Sequence, residues 1–221
     1  MGSFYSGLPI PAVLEIIRKE NINTFIETGT FHGDSALWAS NFFQEVYTVE
    51  ASRILYDKYH DKLSRKHIKH IYGDSPKILS KLIESSEPKR LVWLDAHWVG
   101  DQFTFGQANE VPVIEELQSI PKGSGDNLIM IDDARYFLSP SIPPLHDYKK
   151  WPNIGEIFLL LNEIQNTKTI FIFNDVIISP PPSMVDLIGN ILHKLYTDYG
   201  SKQRIVTVFK NFRNLLYDVI R

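Results

Sequence analysis

The stretch Thr24–Ser35, TFIETGTFHGDS, indicates the fold more clearly than any other part of the chain. A short apolar run ends in the acidic Glu27, two glycines follow at Gly29 and Gly33, and a helical pattern begins at Ser35. A strand, a tight glycine turn and a helix N-terminus in this order form a geometry that holds nucleotide-like cofactors. We therefore expect a ligand site at the carboxyl end of the first strand of a parallel sheet.

A second acidic residue, Glu50, ends the next apolar run, VYTVE. It follows Glu27 at close to the spacing of about 20 residues that is expected of a ribose-binding carboxylate. Phe31 stands where a dinucleotide fingerprint has its middle glycine. Because a pyrophosphate needs that glycine to approach the backbone, NAD is disfavoured and a ribose cofactor without a pyrophosphate is favoured. S-adenosylmethionine meets this requirement, with its amino-acid end over the Gly29 turn and the hydroxyl of Ser35 placed to donate to its carboxylate.

The composition of the 221-residue chain is that of an ordinary globular protein, with 43% hydrophobic and 22% charged residues. A net charge of −3 gives no electrostatic footprint for nucleic acid, so we expect no nucleic-acid partner. The absence of cysteine excludes disulfides and thiolate metal sites and is compatible with a cytoplasmic location. The N-terminal residues lack the features of a signal peptide, and the apolar runs are too short to span a bilayer, so we expect no membrane partner.

Beyond the glycine turn, short β-rich runs alternate with helical patterns as far as Arg135. This alternation predicts right-handed βαβ crossovers and a mostly parallel α/β sheet with helices on both faces. We expect a single domain over 1–221, with an N-terminal helix in 1–23, a cofactor-binding core in 24–137, and a lid loop with C-terminal elements in 138–221. The run TIFIFNDVIISPPP predicts one late antiparallel edge strand near Ile170–Ile178, and RIVTVFKNF predicts a last strand.

Acidic residues lie at or near the carboxyl ends of the predicted strands, where the ligand crevice of an open α/β sheet lies. They are Glu27, Glu50, Asp74, Asp95, Asp132 and Asp133. Carboxylates that converge from neighbouring strand ends repel one another, and a hard divalent cation with its waters relieves that repulsion. The alternatives are a general-base role for Asp95 and a capping role for the Asp132–Asp133 pair. Asp34 and Asp74 equally suit helix N-caps.

The segments ETGTFHGDS, VEAS, GDSP, LDAHW and IDDAR, in this order, resemble class I S-adenosylmethionine-dependent methyltransferases. The likeness is to metal-dependent small-molecule O-methyltransferases of catechol and macrocin type, and it covers the segment from Thr24 to Phe137. It implies a Rossmann-like class I methyltransferase fold with a seven-stranded-type sheet and a small-molecule or sugar acceptor; a homo-oligomer is compatible with it. The cofactor-binding residues that it implies are Glu27, Thr28, Gly29, Thr30, Gly33, Ser35, Glu50, Ala51, Gly73, Asp74, Ser75 and Asp95.

The resemblance also implies roles for the strand ends. The acidic end of the second strand binds the ribose hydroxyls in this family, a role that falls to Glu50, and the turn after the third strand, here Gly73–Ser75, lies by the adenine. The family binds Mg²⁺ through an Asp that ends the fourth strand and an acidic pair that ends the fifth. Asp95, Asp132 and Asp133 match these positions and are the predicted metal ligands.

The catalytic base is the main departure from the family. Trp98 stands where catechol-type enzymes carry a Lys, three residues after the fourth-strand Asp. His97 is the nearest titratable residue, and its unperturbed pKa of about 6.5 suits deprotonation of an acceptor hydroxyl. We therefore predict His97 and Asp95 to be catalytic, with a structural His97 and a pocket-lining or core Trp98 as the alternatives. The acceptor pocket is expected in the loops Gly100–Glu110 and Tyr136–Pro152.

Two other functions remain open on the sequence. One is a Rossmann enzyme that uses NAD or a sugar nucleotide, against which Phe31 argues. The other is a non-catalytic cofactor-binding or structural protein that keeps the fold without the reaction, which the absence of the family's Lys allows.

Overall fold

The computed structural model describes residues 7–84, 89–97, 110–123, 126–139 and 148–198. Within these ranges the strands are β1 (Thr24–Thr28), β2 (Glu45–Glu50), β3 (Ile68–Tyr72), β4 (Lys89–Leu94), β5 (Asp126–Ile131), β6 (Phe171–Phe173) and β7 (Val176–Ser179). The helices are α1 (Ile10–Glu20), α2 (Asp34–Ala39), α3 (Arg53–Ser64), α4 (Ser75–Glu84), α5 (Val113–Ser119), α6 (Ala134–Leu138), α7 (Ile154–Gln165) and α8 (185–198). Short 3₁₀ turns cover Tyr148–Lys150 and Pro182–Met184.

The strands form one sheet in the order β3-β2-β1-β4-β5-β7-β6. Strands β1 to β5 are parallel to one another. The chain moves outward from β1 in one direction through β2 and β3, and then returns to the other side of β1 with β4 and β5. This reversal of strand order is the point at which open α/β sheets bind ligands, beyond the carboxyl ends of the strands. The predicted Rossmann-like α/β fold is confirmed.

The inner strands of the sheet are buried on both faces. Successive side chains of β4 alternate between two apolar cores, with Leu91 and Trp93 in one and Val92 and Leu94 in the other. The first core includes residues of α1, α2 and α8, and the second includes residues of α4, α5 and α7. Because neither face of these inner strands meets water, β4, β5 and β7 read in sequence as nearly continuous apolar runs.

The end of the sheet differs from the sequence prediction. Its late strand near Ile170–Ile178 is antiparallel, as predicted, but it is a hairpin of two strands, β6 and β7. Asn174 and Asp175 form the turn with φ angles of 49° and 68°, because Asn and Asp tolerate the left-handed conformation that a two-residue hairpin turn needs. Strand β7 lies inside the sheet, and β6 forms the edge.

The structure also corrects the capping alternatives for Asp34 and Asp133. Gly33, at φ 76°, and not Asp34, is the N-cap of α2, and it makes no side-chain capping bond. Asp133 occupies the N-cap position of α6 at φ 58°, but its side chain makes no capping hydrogen bond either. The carboxylates of the strand ends are therefore not explained by helix capping at these two positions.

Several predicted features concern parts of the chain that the structure does not describe. Trp98, most of the first predicted acceptor loop (100–109), part of the second (140–147) and the predicted strand at 204–212 lie outside the described residues. Within the described ranges, the helices are too short or too polar to traverse a lipid bilayer.

Candidate functional site

A cavity of about 550 Å³ opens at the carboxyl ends of the central strands. The predicted site residues that line it are Gly29, Glu50, Ala51, Asp74, Ser75, Asp95, His97, Asp132 and Asp133. The predicted cofactor residues that do not line it are Glu27, Thr28, Thr30, Gly33, Ser35 and Gly73. The structure therefore brings carboxylates from the ends of four of the five parallel strands to one cavity, whereas Glu27, Gly33 and Ser35 of the glycine motif do not line it.

Gly29 lies just past the end of β1, against the backbone that follows β4. Its φ is 82°, and an added Cβ would stand 2.8 Å from the carbonyl carbon of Asp95 and closer still to its oxygen. The obstacle is backbone, which cannot turn aside as a flexible side chain can. The Gly29 N–H donates to the carbonyl of Val49 at 3.0 Å. A glycine is therefore required at this position by the fold itself, and it leaves bare backbone facing the cavity.

Glu50 is a carboxylate fixed in place by the backbone around it. It ends β2 and is 6% exposed. One carboxylate oxygen accepts a hydrogen bond from the N–H of Ser52 at 2.8 Å and the other from the N–H of Phe31 at 2.9 Å. Burial raises the pKa of Glu50 against the opposing effect of these amides. Because each carboxylate oxygen has more than one lone pair, both oxygens keep capacity for hydroxyl donors from the cavity.

Phe31 lines the cavity, although it was not among the predicted site residues. Its φ of 47° is left-handed, which is uncommon for a bulky residue. The hydrogen bond that its backbone N–H donates to Glu50 holds this conformation, and the ring stacks on His32 with centroids 3.8 Å apart. The chain thus follows a backbone path suited to glycine while placing an aromatic side chain at the cavity.

Glu27 lies beneath the cavity and is fully buried. It accepts hydrogen bonds from the hydroxyls of Ser35 and Thr48, the latter at 2.5 Å. Burial outweighs these bonds and raises the pKa of Glu27 to about 8. The sequence predicted that Ser35 donates to the cofactor; in the structure its hydroxyl donates to Glu27 instead, because a buried carboxylate needs internal donors. The cofactor-binding roles of both residues stay predictions.

The remaining predicted residues of the turns after β1 and β3 make contacts that fix the path of the backbone. The hydroxyls of Thr30 and Thr48 are 2.7 Å apart, and Thr28 is buried. A Cβ on Gly33 would meet the side chain of Leu63 at 2.7 Å. The Gly73 N–H donates to the carbonyl of Glu50 at 3.0 Å, which ties the turn after β3 to the end of β2. These contacts place Asp74 and Ser75, the next two residues, at the cavity.

The acidic ends of β4 and β5 meet around His97. Its Nδ1 lies 3.3 Å from Oδ1 of Asp95, and its Nε2 lies 2.8 Å from Oδ2 of Asp133. Burial lowers the pKa of His97, but the hydrogen bonds and charges of the two carboxylates outweigh it and raise the pKa to about 10. An imidazole that donates from both nitrogens has no lone pair with which to take a further proton. The general-base role predicted for His97 stays a prediction, and this geometry does not favour it.

The three carboxylates of this cluster have different surroundings. Burial and then the charges of Asp95 and Asp133 raise the pKa of Asp132 to about 7. Burial also raises the pKa of Asp95. For Asp133, burial is outweighed by His97 and by Arg135, whose guanidinium lies 2.8 Å from Oδ1, and the pKa falls below its usual value. In the described parts of the chain, no three acidic or histidine side chains converge on a common metal position.

Two polar residues near the cavity had no assigned role in the sequence. Arg135 pairs with both Asp133 and Asp175, and its place soon after two acidic residues was the available signal. Glu116 is fully buried on α5, and burial raises its pKa to about 7. Its spacing from the buried Val113 and Leu117 places it on the inner face of that helix.

An aromatic cluster borders the acidic side of the cavity. The ring of Trp151, which is buried, lies 6.2 Å from that of His97 and 5.3 Å and 5.5 Å from the rings of Tyr136 and Phe137. Its Nε1 donates to Glu110 at 3.3 Å. This packing restrains the movement of His97 away from the carboxylates.

No protein-family model and no curated protein sequence matches this chain. Solved structures match its shape. A candidate caffeoyl-CoA O-methyltransferase from Staphylococcus aureus is 13% identical, with a TM-score of 0.52 over 81% of this chain and 85% of that one. The PH0226 protein of Pyrococcus horikoshii is 12% identical, with a TM-score of 0.51 over 78% and 88%. The chain has the Rossmann-like fold of these proteins. An O-methyltransferase from Bacillus cereus, solved with SAH, gives a TM-score of 0.48 at 13% identity over 80% and 82%.

Proposed function

We propose that this protein is an S-adenosylmethionine-dependent methyltransferase that methylates an oxygen of a small molecule or sugar. The observation that carries the proposal is the carboxylate of Glu50, which is fixed by two backbone amides at the cavity next to the Gly29 turn. A carboxylate so placed can accept charge-assisted hydrogen bonds from both hydroxyls of a ribose. The fold shared with the candidate caffeoyl-CoA O-methyltransferase supports the same function.

The side chain of Phe31 argues against the dinucleotide alternative. A pyrophosphate binds over a glycine turn because nothing stands between it and the backbone amides. Here Phe31 lines the cavity, and its own amide is engaged by Glu50. A cofactor whose amino-acid end lies over the bare backbone of Gly29 needs no such approach at Phe31.

The reaction would be an in-line displacement, in which the acceptor oxygen attacks the methyl group of the sulfonium. Holding the two reacting groups at near-attack distance can supply roughly 7–11 kcal/mol of the barrier. The acceptor hydroxyl also has to lose its proton. Asp132 lines the cavity, and its pKa of about 7 suits it to receive that proton at neutral pH.

Mg²⁺ was the predicted aid to this deprotonation. The oxygens of Asp95, Asp132 and Asp133 are the donor type that Mg²⁺ prefers. However, His97 lies between two of these carboxylates and is hydrogen-bonded to both. The residues as arranged do not fit the ion, and no step of the proposed reaction depends on it. A cytoplasmic location and a homo-oligomer stay predictions.

Calorimetric titration with S-adenosylhomocysteine tests the cofactor site. Glu50→Ala should weaken binding at least about tenfold, because a charge-assisted hydrogen bond contributes roughly 1.5–3 kcal/mol. Glu50→Gln, which keeps one carbonyl oxygen, should lose less. Glu45→Ala is the matched control, since Glu45 is exposed at the other end of the same strand, and it should bind as the parent does. Unchanged affinity in Glu50→Ala would contradict the site assignment, and binding of NAD in place of S-adenosylhomocysteine would favour the Rossmann enzyme that uses NAD.

A methyl-transfer assay separates the enzyme from a non-catalytic cofactor-binding protein. Product release should be followed against hydroxylated sugars and small aromatic alcohols with S-adenosylmethionine as donor. Asp132→Asn should lower the rate with little effect on cofactor affinity, and the parent rate should rise with pH through an ionisation near 7. Cofactor binding without transfer to any member of the panel would favour the non-catalytic alternative.

A further inference from the structure

The side chain of His97 occupies the space between two carboxylates that converge from neighbouring strands. It is 17% exposed, with one ring nitrogen 3.3 Å from Asp95 and the other 2.8 Å from Asp133. Trp151 packs near its ring. The imidazole is therefore an integral part of the acidic cluster and not an exposed side chain in incidental contact with it.

The contacts of His97 determine its chemical form. An ionised carboxylate can only accept a hydrogen bond, so each ring nitrogen that faces one has to carry a proton. The ring that satisfies both Asp95 and Asp133 in their ionised forms is the imidazolium cation. Its single positive charge is shared between the ends of β4 and β5, which is where the acidic residues would otherwise repel one another.

Asp133 has a second cationic partner on its other oxygen. Oδ2 faces Nε2 of His97, and Oδ1 lies 2.8 Å from the guanidinium of Arg135. A Mg²⁺ ion would have to draw carboxylate oxygens to about 2.0–2.1 Å from one centre. To do so with Asp95 and Asp133 it would have to displace the imidazole ring from between them.

We propose that His97, assisted by Arg135, takes the place of a divalent cation in this site and offsets the charges of Asp95 and Asp133 with side chains of the chain itself. The consequence for catalysis, methyl transfer that needs no added metal, rests on the proposed function. The claim about ion binding does not, and it can be measured on the protein without any acceptor.

Binding of Mn²⁺, a hard divalent ion detectable by electron paramagnetic resonance, tests this proposal directly. The parent protein should show no saturable Mn²⁺ site at millimolar concentrations, and its melting temperature should be the same in Mg²⁺ and in EDTA. A stoichiometric Mn²⁺ site in the parent, with stabilisation that EDTA removes, would overturn the proposal. This measurement decides the point even where a variant does not fold.

Variants at His97 show whether its charge is what excludes the ion. His97→Ala opens the space between the carboxylates and should gain a Mn²⁺ site together with a melting temperature that rises with Mg²⁺. His97→Gln, which keeps most of the volume without the charge, is the second choice if the alanine variant is unstable, and should gain a weaker site. His97→Lys restores a cation and should remain insensitive to the ion. Folded alanine and glutamine variants that both fail to bind Mn²⁺ would overturn the proposal.

Two controls separate this inference from the proposed function. His193→Ala removes an exposed histidine on α8 and should behave as the parent does. S-adenosylhomocysteine binding is measured on the same preparations. A parent that binds neither S-adenosylhomocysteine nor Mn²⁺, beside a His97→Ala variant that binds Mn²⁺, would refute the proposed function and support the role of His97.

Discussion

The two sides of the crevice hold their carboxylates by different means. At the ends of β1 and β2, the recorded donors to Glu27 and Glu50 are hydroxyls and backbone amides, which carry no net charge. At the ends of β4 and β5, Asp95 and Asp133 are bound by the side chain of His97, and Asp133 also by Arg135. The carboxylates of the first side are therefore bound by neutral dipoles, whereas Asp95 and Asp133 on the second side are bound by ionisable side chains.

This difference in hydrogen-bonding partners indicates what each side of the crevice can bind. Neutral donors do not offset the cost of burying a charge, so the pKa of Glu27 rises to about 8 and that of Glu50 also rises. Further hydrogen-bond donors such as ribose hydroxyls would therefore stabilise the ionised form of Glu50. Ionic partners do offset that cost at Asp133, whose pKa is lowered. Asp133 has its compensating charge already, which leaves it little need for a metal.

Gly29→Ala should have the largest effect, because Gly29 is where the two sides touch. The methyl group would meet the Asp95 backbone and impose a left-handed φ on alanine, and together we expect a loss of about 4 kcal/mol or more in the free energy of unfolding. Gly123→Ala is the matched control, since its φ is 69° and nothing lies within 4 Å of the added Cβ. It should lose about 1–2 kcal/mol. Equal losses in urea denaturation would mean that the close approach of the strands is not limiting.

The sequence was sufficient to predict the side of the crevice that depends on local order. The strand, the Gly29 turn and the acidic end of β2 are each encoded in a short stretch, and parallel pairing brings them together. The partners of His97 were not predictable in this way, because Asp133 comes from another strand and the contact depends on side-chain direction. The same holds for Ser35, whose hydroxyl reaches back across the turn to Glu27. The Asn174–Asp175 hairpin turn was overlooked because apolar residues on both sides read as one strand.

Glu27→Gln sharpens the comparison through pH. The folded pKa of about 8 lies above the ordinary value of 4.5, so the folded state holds a proton that the unfolded state releases. The stability from this group is therefore complete below pH 4.5 and is lost as pH rises towards 8, at no more than about 1.4 kcal/mol per pH unit. Denaturant unfolding at pH 5 and pH 8 should show a smaller decline in Glu27→Gln than in the parent. Glu45→Gln, on the exposed end of β2, should leave the decline unchanged, and an unaltered slope in Glu27→Gln would contradict the uncompensated burial of this carboxyl.

The smallest expected difference between the two sides of the crevice is in how their stability depends on salt. Arg135→Gln removes a partly exposed cation from Asp133, and Ser35→Ala removes a neutral donor from Glu27; each should lower the free energy of unfolding by about 1–2 kcal/mol at low ionic strength. Added NaCl screens interactions between charges, the more so at partly exposed sites, and leaves bonds between neutral groups nearly unchanged. The loss in Arg135→Gln should therefore shrink between low and high NaCl, while the loss in Ser35→Ala should persist. Because the pKa of Asp133 is lowered in the folded protein, the Arg135→Gln loss should also diminish as pH falls below the usual range of an Asp carboxyl. The same salt dependence in both variants would mean that the two sides of the crevice are not held by different kinds of interaction.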